Sequence, residues 1–449
     1  MQINPLIFKA YDIRGLLQPD EITTELAYAI GRGVMATVVG NTKSRVVVVG
    51  RDARPSSPEI TKELIRGLRD GGADVVDIGM TTTPLFYYSV IQTSAAGGIM
   101  VTASHNPAEY NGFKIVKSHA VAIGLESGLD RLRDYVIRGD FGSAAPESSF
   151  TEDDFSDRYI DAMTHGTKIK KFRVAIDAGN GMIGIILPRV LGRLGIEARV
   201  LYQEPDGTFP NHEANPLKEE TLRDLQAVMR EHPVDFGIAY DGDGDRIRFL
   251  LRNGTPVPGD IMLALLTKEY LSTYPGSAIV YAANCSRNVP ETIEAYGGKA
   301  IRWKIGHTLI KQKMLETGAI LGGEISTHTL YREIGTVEST VLTLVRVCQI
   351  LTRQSYSLNE VVKPFWKYAK IPETNFTIDD RDTVLKRLAD RYKDAKLDWL
   401  DGLTAEYDTW WFNARPSNTE PVLRLCLEAE TLKMMEEKLA EVQGVILQH

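Results

Sequence analysis

The sequence predicts an α/β protein of several domains followed by a smaller α+β domain. Three observations lead there. At 449 residues the chain is longer than one hydrophobic core commonly serves, and three or four domains are expected. Apolar strand-like runs alternate with polar loops and helical segments over most of its length. The last stretch of about 80 residues changes character, to helix, strands and a final helix.

In order, "SRVVVVG" reads as a buried strand, followed by the loop "RDARPSSP" and a helix near 58–71 that Gly71-Gly72 ends. "DVVDIG", "GGIMV" and "FKIV" read as further strands. The small, polar stretch 139–150 reads as a linker. A second unit begins at "FRVAIDAGNG" and continues through "VDFGIAYDGDGDRIRFLL", two strands flanking an acidic loop. A third starts near Gly259 with the helix "DIMLALLTKEYL" and the strands "SAIVYAA" and "KAIRWK". It continues with a helix near 308–317 and the strand "AILGG", and the helix "ESTVLTLVRVCQIL" ends it. The last unit, hinged after Pro364 or Pro372, has the helix "RDTVLKRLADRYK", the strands "YDTWWFNA" and "VLRLCLEA", and the helix "KMMEEKLAEV". Identity among the first three units is too low to read a repeat from residues alone.

Composition excludes some classes. The net charge of −7, with no cluster of Lys and Arg, argues against nucleic acid, while a local cationic pocket for a small anion stays open. Cys285, Cys348 and Cys426 are far apart and lack metal-ligand spacing, so buried reduced thiols in a cytoplasmic protein are expected. No secretory signal and no membrane-spanning run is read.

Five loops carry chemistry, each at a strand end, where ligands bind in such sheets. In "DGDGDR", Asp241, Asp243 and Asp245 alternate with glycines that let the backbone curl and the carboxylates converge. Unit charges about 4 Å apart repel by about 4 kcal/mol at an effective dielectric of about 20, so the three call for a divalent cation, and hard oxygen donors suit Mg2+. A solvated acidic turn competes with this. A calcium EF-hand loop fails, because its sixth and twelfth positions are Arg246 and Arg252.

In "TASHNPAEYNGFKI", Ser104 offers a hydroxyl in a loop. His105 is adjacent, but there is no G-x-S-x-G elbow and no S-x-x-K, so acyl chemistry is poorly supported. A phosphate on Ser104, with a metal bound to one of its oxygens, fits better, and Lys114 could supply a positive charge or a proton. A capped surface turn is the plain alternative.

"ARPSNTEP" has the composition of a phosphate cradle: Arg415 for bidentate binding, with Ser417, Asn418 and Thr419 as further donors. A simple β-turn competes. In "GGEISTH", Glu324, Ser326 and His328 are spaced by two, so an extended segment would point all three one way, toward sugar hydroxyls. "KIGHT" adds Lys304 and His307.

Taken together and in order, these stretches and the N-terminal "FKAYDIRG" resemble the α-D-phosphohexomutase superfamily, most closely the bacterial phosphoglucomutase/phosphomannomutase group. The resemblance covers the whole chain. It implies three related α/β domains with mixed sheets and a smaller, mobile α+β C-terminal domain around a central cleft. The domains are expected at 1–146 (phosphoserine loop), 147–254 (metal loop), 255–366 (sugar-binding loop) and 367–449 (phosphate binding). It implies that phosphate passes from Ser104 to a hexose phosphate, giving a bound hexose 1,6-bisphosphate that turns over and returns its other phosphate. Ser104, Asp241, Asp243 and Asp245 would hold Mg2+. Arg14, Lys114 and Arg246, with His105 beside the serine, would surround the transferring group; Lys114 and His307 are candidates for proton transfer. Tyr11, Lys304, Glu324, Ser326 and His328 would contact the sugar, and Arg415, Ser417, Asn418 and Thr419 the non-reacting phosphate.

One departure stands out. Thr327 occupies a place where the family usually has Gly, so either the backbone there is extended or the loop differs in shape. Asn418 and Ile325 stand where phosphoglucosamine mutases usually have Gly and Gln, which favours glucose or mannose as substrate. The expected partner is a small phosphosugar, with neither nucleic acid nor membrane, and the protein is expected to be monomeric. The rivals are a phosphoglucosamine mutase, a phosphoserine-dependent phosphohydrolase and a non-catalytic sugar-phosphate binder.

Overall fold

The computed structural model describes residues 3–40, 42–145, 148–417 and 422–448. They fall into two compact units: the chain up to Val257 with Ser326–Asn359, and Pro258–Ile325 with the chain from Glu360.

The first unit is built on two mixed sheets. In one, the valine-rich strand Val46–Arg51 lies between the parallel strands Gly97–Val101 and Asp74–Met80. Tyr110–Lys117 then joins Gly97–Val101 antiparallel, and Ile13–Leu16 joins Tyr110–Lys117. Val47, Val49, Ile99, Val101 and Phe113 are buried against Leu26, Ile30, Leu64 and Leu68 of the helices Thr24–Val34 and Ser57–Asp70. Each such side chain contributes about 1.5–3 kcal/mol on burial. The two helices approach closely at glycine: a Cβ on Gly67 would lie 2.1 Å from the Tyr28 carbonyl oxygen.

The stretch 139–150 is not wholly linker. Phe150–Glu152 adds a parallel edge strand beside Asp74–Met80, and Ser149 donates its backbone N–H and hydroxyl to Asp74. Three residues are too few to show a strand period, so this pairing could not be read from pattern.

The second sheet places Arg173–Asp177 between the parallel strands Glu197–Leu201 and Phe236–Tyr240, and Ile247–Leu250 returns antiparallel. The helix Thr340–Gln354, read as the end of the third unit, packs into this one. Its N-cap Ser339 accepts the Leu342 N–H and meets the buried Tyr159 hydroxyl at 2.7 Å.

In the second unit the parallel strands Lys299–Trp303, Ala278–Ala282 and Leu321–Gly323 alternate with the helices Gly259–Thr273, Asn288–Ala295 and His307–Thr317. Its other sheet is antiparallel, centred on Trp410–Pro416 and Val422–Ala429. The helices Arg381–Arg391 and Leu432–Ile446 cover it, with Leu388, Phe412, Leu425 and Val442 in the core. Cys285, Cys348 and Cys426 are buried free thiols. Among the described residues no helix is long and apolar enough to cross a membrane.

Candidate active site

The buried strand Phe236–Tyr240 leads into the acidic loop, and Tyr240 pairs with Ile247 on the return, so residues 241–246 form the tip of a hairpin. Gly244 has φ +75°, which a side chain would resist. Asp241, Asp243 and Asp245 are 0%, 0% and 1% exposed, which removes the solvated-turn reading. Each offers a carboxylate oxygen within 4.8 Å of the others. Burial first, then the charges of Asp245 and Asp243, push the Asp241 carboxyl well above its ordinary range.

Neighbours hold the loop in place. The Lys114 ammonium lies 2.6 Å from both Asp243 and Asp245. Burial, the largest influence, disfavours its charge, but the two carboxylates prevail and hold its pKa well above the usual lysine value. Thr83 donates its hydroxyl and its backbone N–H to Asp243, and Thr340 donates to the Gly244 carbonyl. Asp243 Oδ1 remains buried with no hydrogen-bond partner among the described residues. Three hard oxygen donors and this orphaned atom fit a divalent cation.

Ser104 lies between Gly97–Val101 and Tyr110–Lys117 with φ +51°, and the Thr102 hydroxyl accepts its backbone N–H. Its Oγ is 3.4 Å from Asp241 Oδ2 and 3.1 Å from His105 Nδ1. Burial, then the charges of Arg246 and Arg14, pull the His105 pKa well below the usual histidine value, so the ring is neutral. Arg14, on the strand Ile13–Leu16, donates to the Asn106 side chain at 2.7 Å.

Arg246 donates its backbone N–H to Asp241 Oδ1 and its Nε–H to His328 Nε2, at 3.1 Å each. His328 accepts that bond on Nε2, which puts its ring proton on Nδ1, 3.8 Å from Asp245 and 4.0 Å from Glu338. The segment 324–328 is a turn, not an extended run, so the expected alternation of its side chains does not apply. Thr327 sits at φ +70°, the conformation that favours glycine, with a buried hydroxyl that finds no partner among the described residues. The extended alternative is therefore ruled out, and the position is strained.

In the second unit, Glu324 accepts the Gly306 N–H at 2.6 Å, which joins it to the 304–308 loop. Lys304 is exposed there, and His307 opens the helix His307–Thr317. Asp401 accepts the Ile305 N–H, and a Cβ on its neighbour Gly402 would meet Arg415, so this loop borders the strand end bearing Arg415. Arg415 is buried and bonds Glu373 at 3.0 Å, and its Nε–H has no partner among the described residues. Burial disfavours its charge most, but Glu373 and Asp401 raise its pKa. Ser417 is buried, and its N–H bonds the Val422 carbonyl. Asn418 and Thr419 lie outside the described residues.

Four sequence families match the chain in order: phosphoglucomutase/phosphomannomutase alpha/beta/alpha domains I, II and III over 5–141, 157–254 and 258–368, and the C-terminal domain over 373–444. The phosphomannomutase/phosphoglucomutase of Pseudomonas aeruginosa is 37% identical over 446 residues, 98% of this chain and 94% of the relative. This chain belongs to the phosphoglucomutase/phosphomannomutase family. A phosphomannomutase of Methanocaldococcus jannaschii is 35% identical, covering 98% of this chain and 97% of that one. The crystal structure of a phosphoglucomutase/phosphomannomutase family protein from Burkholderia thailandensis superposes with a TM-score of 0.91 at 32% identity, over 99% of this chain and 97% of that one. The architecture is that of the family, with mixed α/β domains I to III and a C-terminal sheet domain.

Within this family member's first unit, Arg14, Ser104, His105, Lys114, the three aspartates, Arg246 and His328 share one buried polar region, linked by the contacts above. Tyr11 is half-buried on the same unit, and Ser326 begins the unit's second segment. Sequence reading missed Thr83 and Thr340, the hydroxyls that hold the acidic loop, and Asn106, the anchor of Arg14. Only Asn106 lay in a quoted motif; the threonines stand at helix starts, where capping explains such residues equally well.

Proposed function

We propose that this enzyme interconverts hexose 1-phosphate and hexose 6-phosphate, of glucose or mannose, with Ser104 as the phosphoryl carrier. The reading rests on one observation: the Ser104 hydroxyl lies 3.4 Å from Asp241 in a buried acidic hairpin. Of the three carboxylates the hydroxyl bonds Asp241, and the three together outnumber the Lys114 and Arg246 charges beside them.

Ser104, Asp241, Asp243 and Asp245 would hold Mg2+. Bound there, the ion would polarise the phosphoryl group and offset the charge of about −1.5 to −2 that phosphate brings to the serine. In the forward half-reaction the bond between Ser104 Oγ and phosphorus breaks as a sugar hydroxyl oxygen forms its own, and the proton of that hydroxyl is passed on to Ser104 Oγ, which is released as the free hydroxyl. The hexose 1,6-bisphosphate then returns its other phosphate to Ser104. Such transfer needs positioning and charge stabilisation more than covalent chemistry. Lys114, Arg246 and Arg14 supply fixed positive charge, and neutral His105 holds the serine hydroxyl. In the second unit, Glu324, Lys304 and His307 offer groups suited to sugar hydroxyls, and Arg415 with Ser417 offers donors for a phosphate.

A coupled assay with glucose 1-phosphate, mannose 1-phosphate and glucosamine 1-phosphate tests this reading. Isomerisation of the first two, without matching release of inorganic phosphate, is expected. Phosphate release at the rate of isomerisation would indicate a hydrolase, and preference for the amino sugar a phosphoglucosamine mutase.

A further inference from the structure

Arg54 stands in the loop "RDARPSSP", outside every motif that led to the function, and is 1% exposed. A guanidinium has five N–H donors, and all five are used. Nε donates to Asp52 Oδ2 at 3.0 Å. Nη1 donates to the carbonyls of Pro107 at 2.5 Å and Tyr110 at 3.0 Å. Nη2 donates to the carbonyls of Ser104 at 3.2 Å and Asn106 at 2.6 Å. Four bonds therefore end on the backbone of the nucleophile loop, and one on a carboxylate that is itself fixed. Asp52 Oδ1 accepts the Arg54 N–H at 3.0 Å and the Ser57 hydroxyl at 2.6 Å.

The surroundings close this arrangement from two sides. A Cβ on Gly207 would lie 2.3 Å from Arg54 Cα, and the Phe209 ring centre is 5.2 Å from the guanidinium carbon, so the segment 207–209 lies directly on Arg54. A Cβ on Gly242 would lie 2.6 Å from the Ser104 carbonyl oxygen. That carbonyl is thus held between the guanidinium and the acidic hairpin. Ser104 needs such support, because φ +51° is a left-handed conformation that non-glycine residues resist.

We propose that Arg54 is a positioning residue for phosphoryl transfer: it fixes the left-handed Ser104 backbone so that Oγ faces Asp241. The inference rests on Ser104 being the phosphoryl carrier. With no donor left over, Arg54 makes no contact with substrate, and it acts only through the loop. Lysine keeps the charge but loses the planar fork, so it can hold at most a subset of the four carbonyls.

The test compares wild type, Arg54→Lys and Ser104→Ala in isomerisation of glucose 1-phosphate and mannose 1-phosphate. It also follows phosphorylation of Ser104 by glucose 1,6-bisphosphate with phosphopeptide mass spectrometry. A misplaced nucleophile costs about 100-fold, so Arg54→Lys is expected to keep its fold by circular dichroism and lose about 100-fold in kcat with KM little changed. Its Ser104 should phosphorylate correspondingly slowly. A folded Arg54→Lys with kcat and phosphorylation rate within about threefold of wild type would overturn the proposal. If that variant does not fold, Asp52→Asn, which loosens the Nε anchor, decides: a loss of about 10-fold in kcat at constant KM supports the proposal, and wild-type kcat overturns it. Isomerisation that persists in Ser104→Ala would sink the carrier reading and this inference with it, an outcome distinct from a normal Arg54→Lys enzyme beside a dead Ser104→Ala.

Discussion

Ser104 and Asp241, 137 positions apart in sequence, meet at 3.4 Å between the serine hydroxyl and the carboxylate. Two sheets must form and pack before this pair exists. The pair is reached from both sides by loops at strand ends, with Ser104 at a positive φ and Asp241 fully buried.

Asp243→Asn should keep the fold and lower kcat about 10–100-fold, because a single altered ligand or its support commonly costs that much in metal affinity or activity. A titration of activity against Mg2+ should shift to higher concentrations in this variant. Wild-type turnover in Asp243→Asn with all divalent metal chelated would contradict the metal site.

Glu373→Gln tests the cradle of the second unit. The Glu373 carboxylate holds Arg415 at 3.0 Å and lies 3.4 Å from Arg424. Loss of that anchor should raise KM for the sugar phosphate about tenfold, a cost of about 1.4 kcal/mol, with kcat less affected. An unchanged KM would show that Arg415 needs no such support.

Much of this was legible in the chain, and the exceptions have physical causes. Alternating carboxylates at 241–245 and a serine before Asn106-Pro107 are local signals, and strand ends bring such loops together. Arg54 left no signal, because a buried guanidinium bonded to backbone carbonyls reads in sequence as a charged loop residue. The 324–328 turn was misread because spacing by two assumes an extended chain, and Thr327 is unlikely chemistry for the bend it makes. Phe150–Glu152 was hidden by its brevity.

Thr327→Gly should raise stability by about 1 kcal/mol, since it removes both a strained φ and a buried hydroxyl without a partner. Urea unfolding monitored by tryptophan fluorescence would show a higher midpoint at constant slope. A lower midpoint would mean that the buried methyl outweighs the strain.

His212 should make stability depend on pH. Burial is the largest influence and lowers its pKa, but the hydrogen bond and charge of Asp177 at 3.0 Å, with the Glu213 carbonyl, raise it overall. A raised folded pKa adds stability that is fully present below the unfolded value of about 6.5 and fades as pH rises through the folded value. Wild type should therefore exceed His212→Gln in unfolding free energy by more at pH 5.5 than at pH 9. An equal difference at both would place His212 outside the titration.

The most direct measurement is phosphopeptide mass spectrometry of the wild-type enzyme after incubation with glucose 1,6-bisphosphate and Mg2+. The expected result is one added phosphate on the peptide containing Ser104, removed again by glucose 1-phosphate or mannose 1-phosphate with appearance of the bisphosphate. An active enzyme whose Ser104 stays unmodified, or carries a phosphate that no sugar phosphate can take up, would contradict the account.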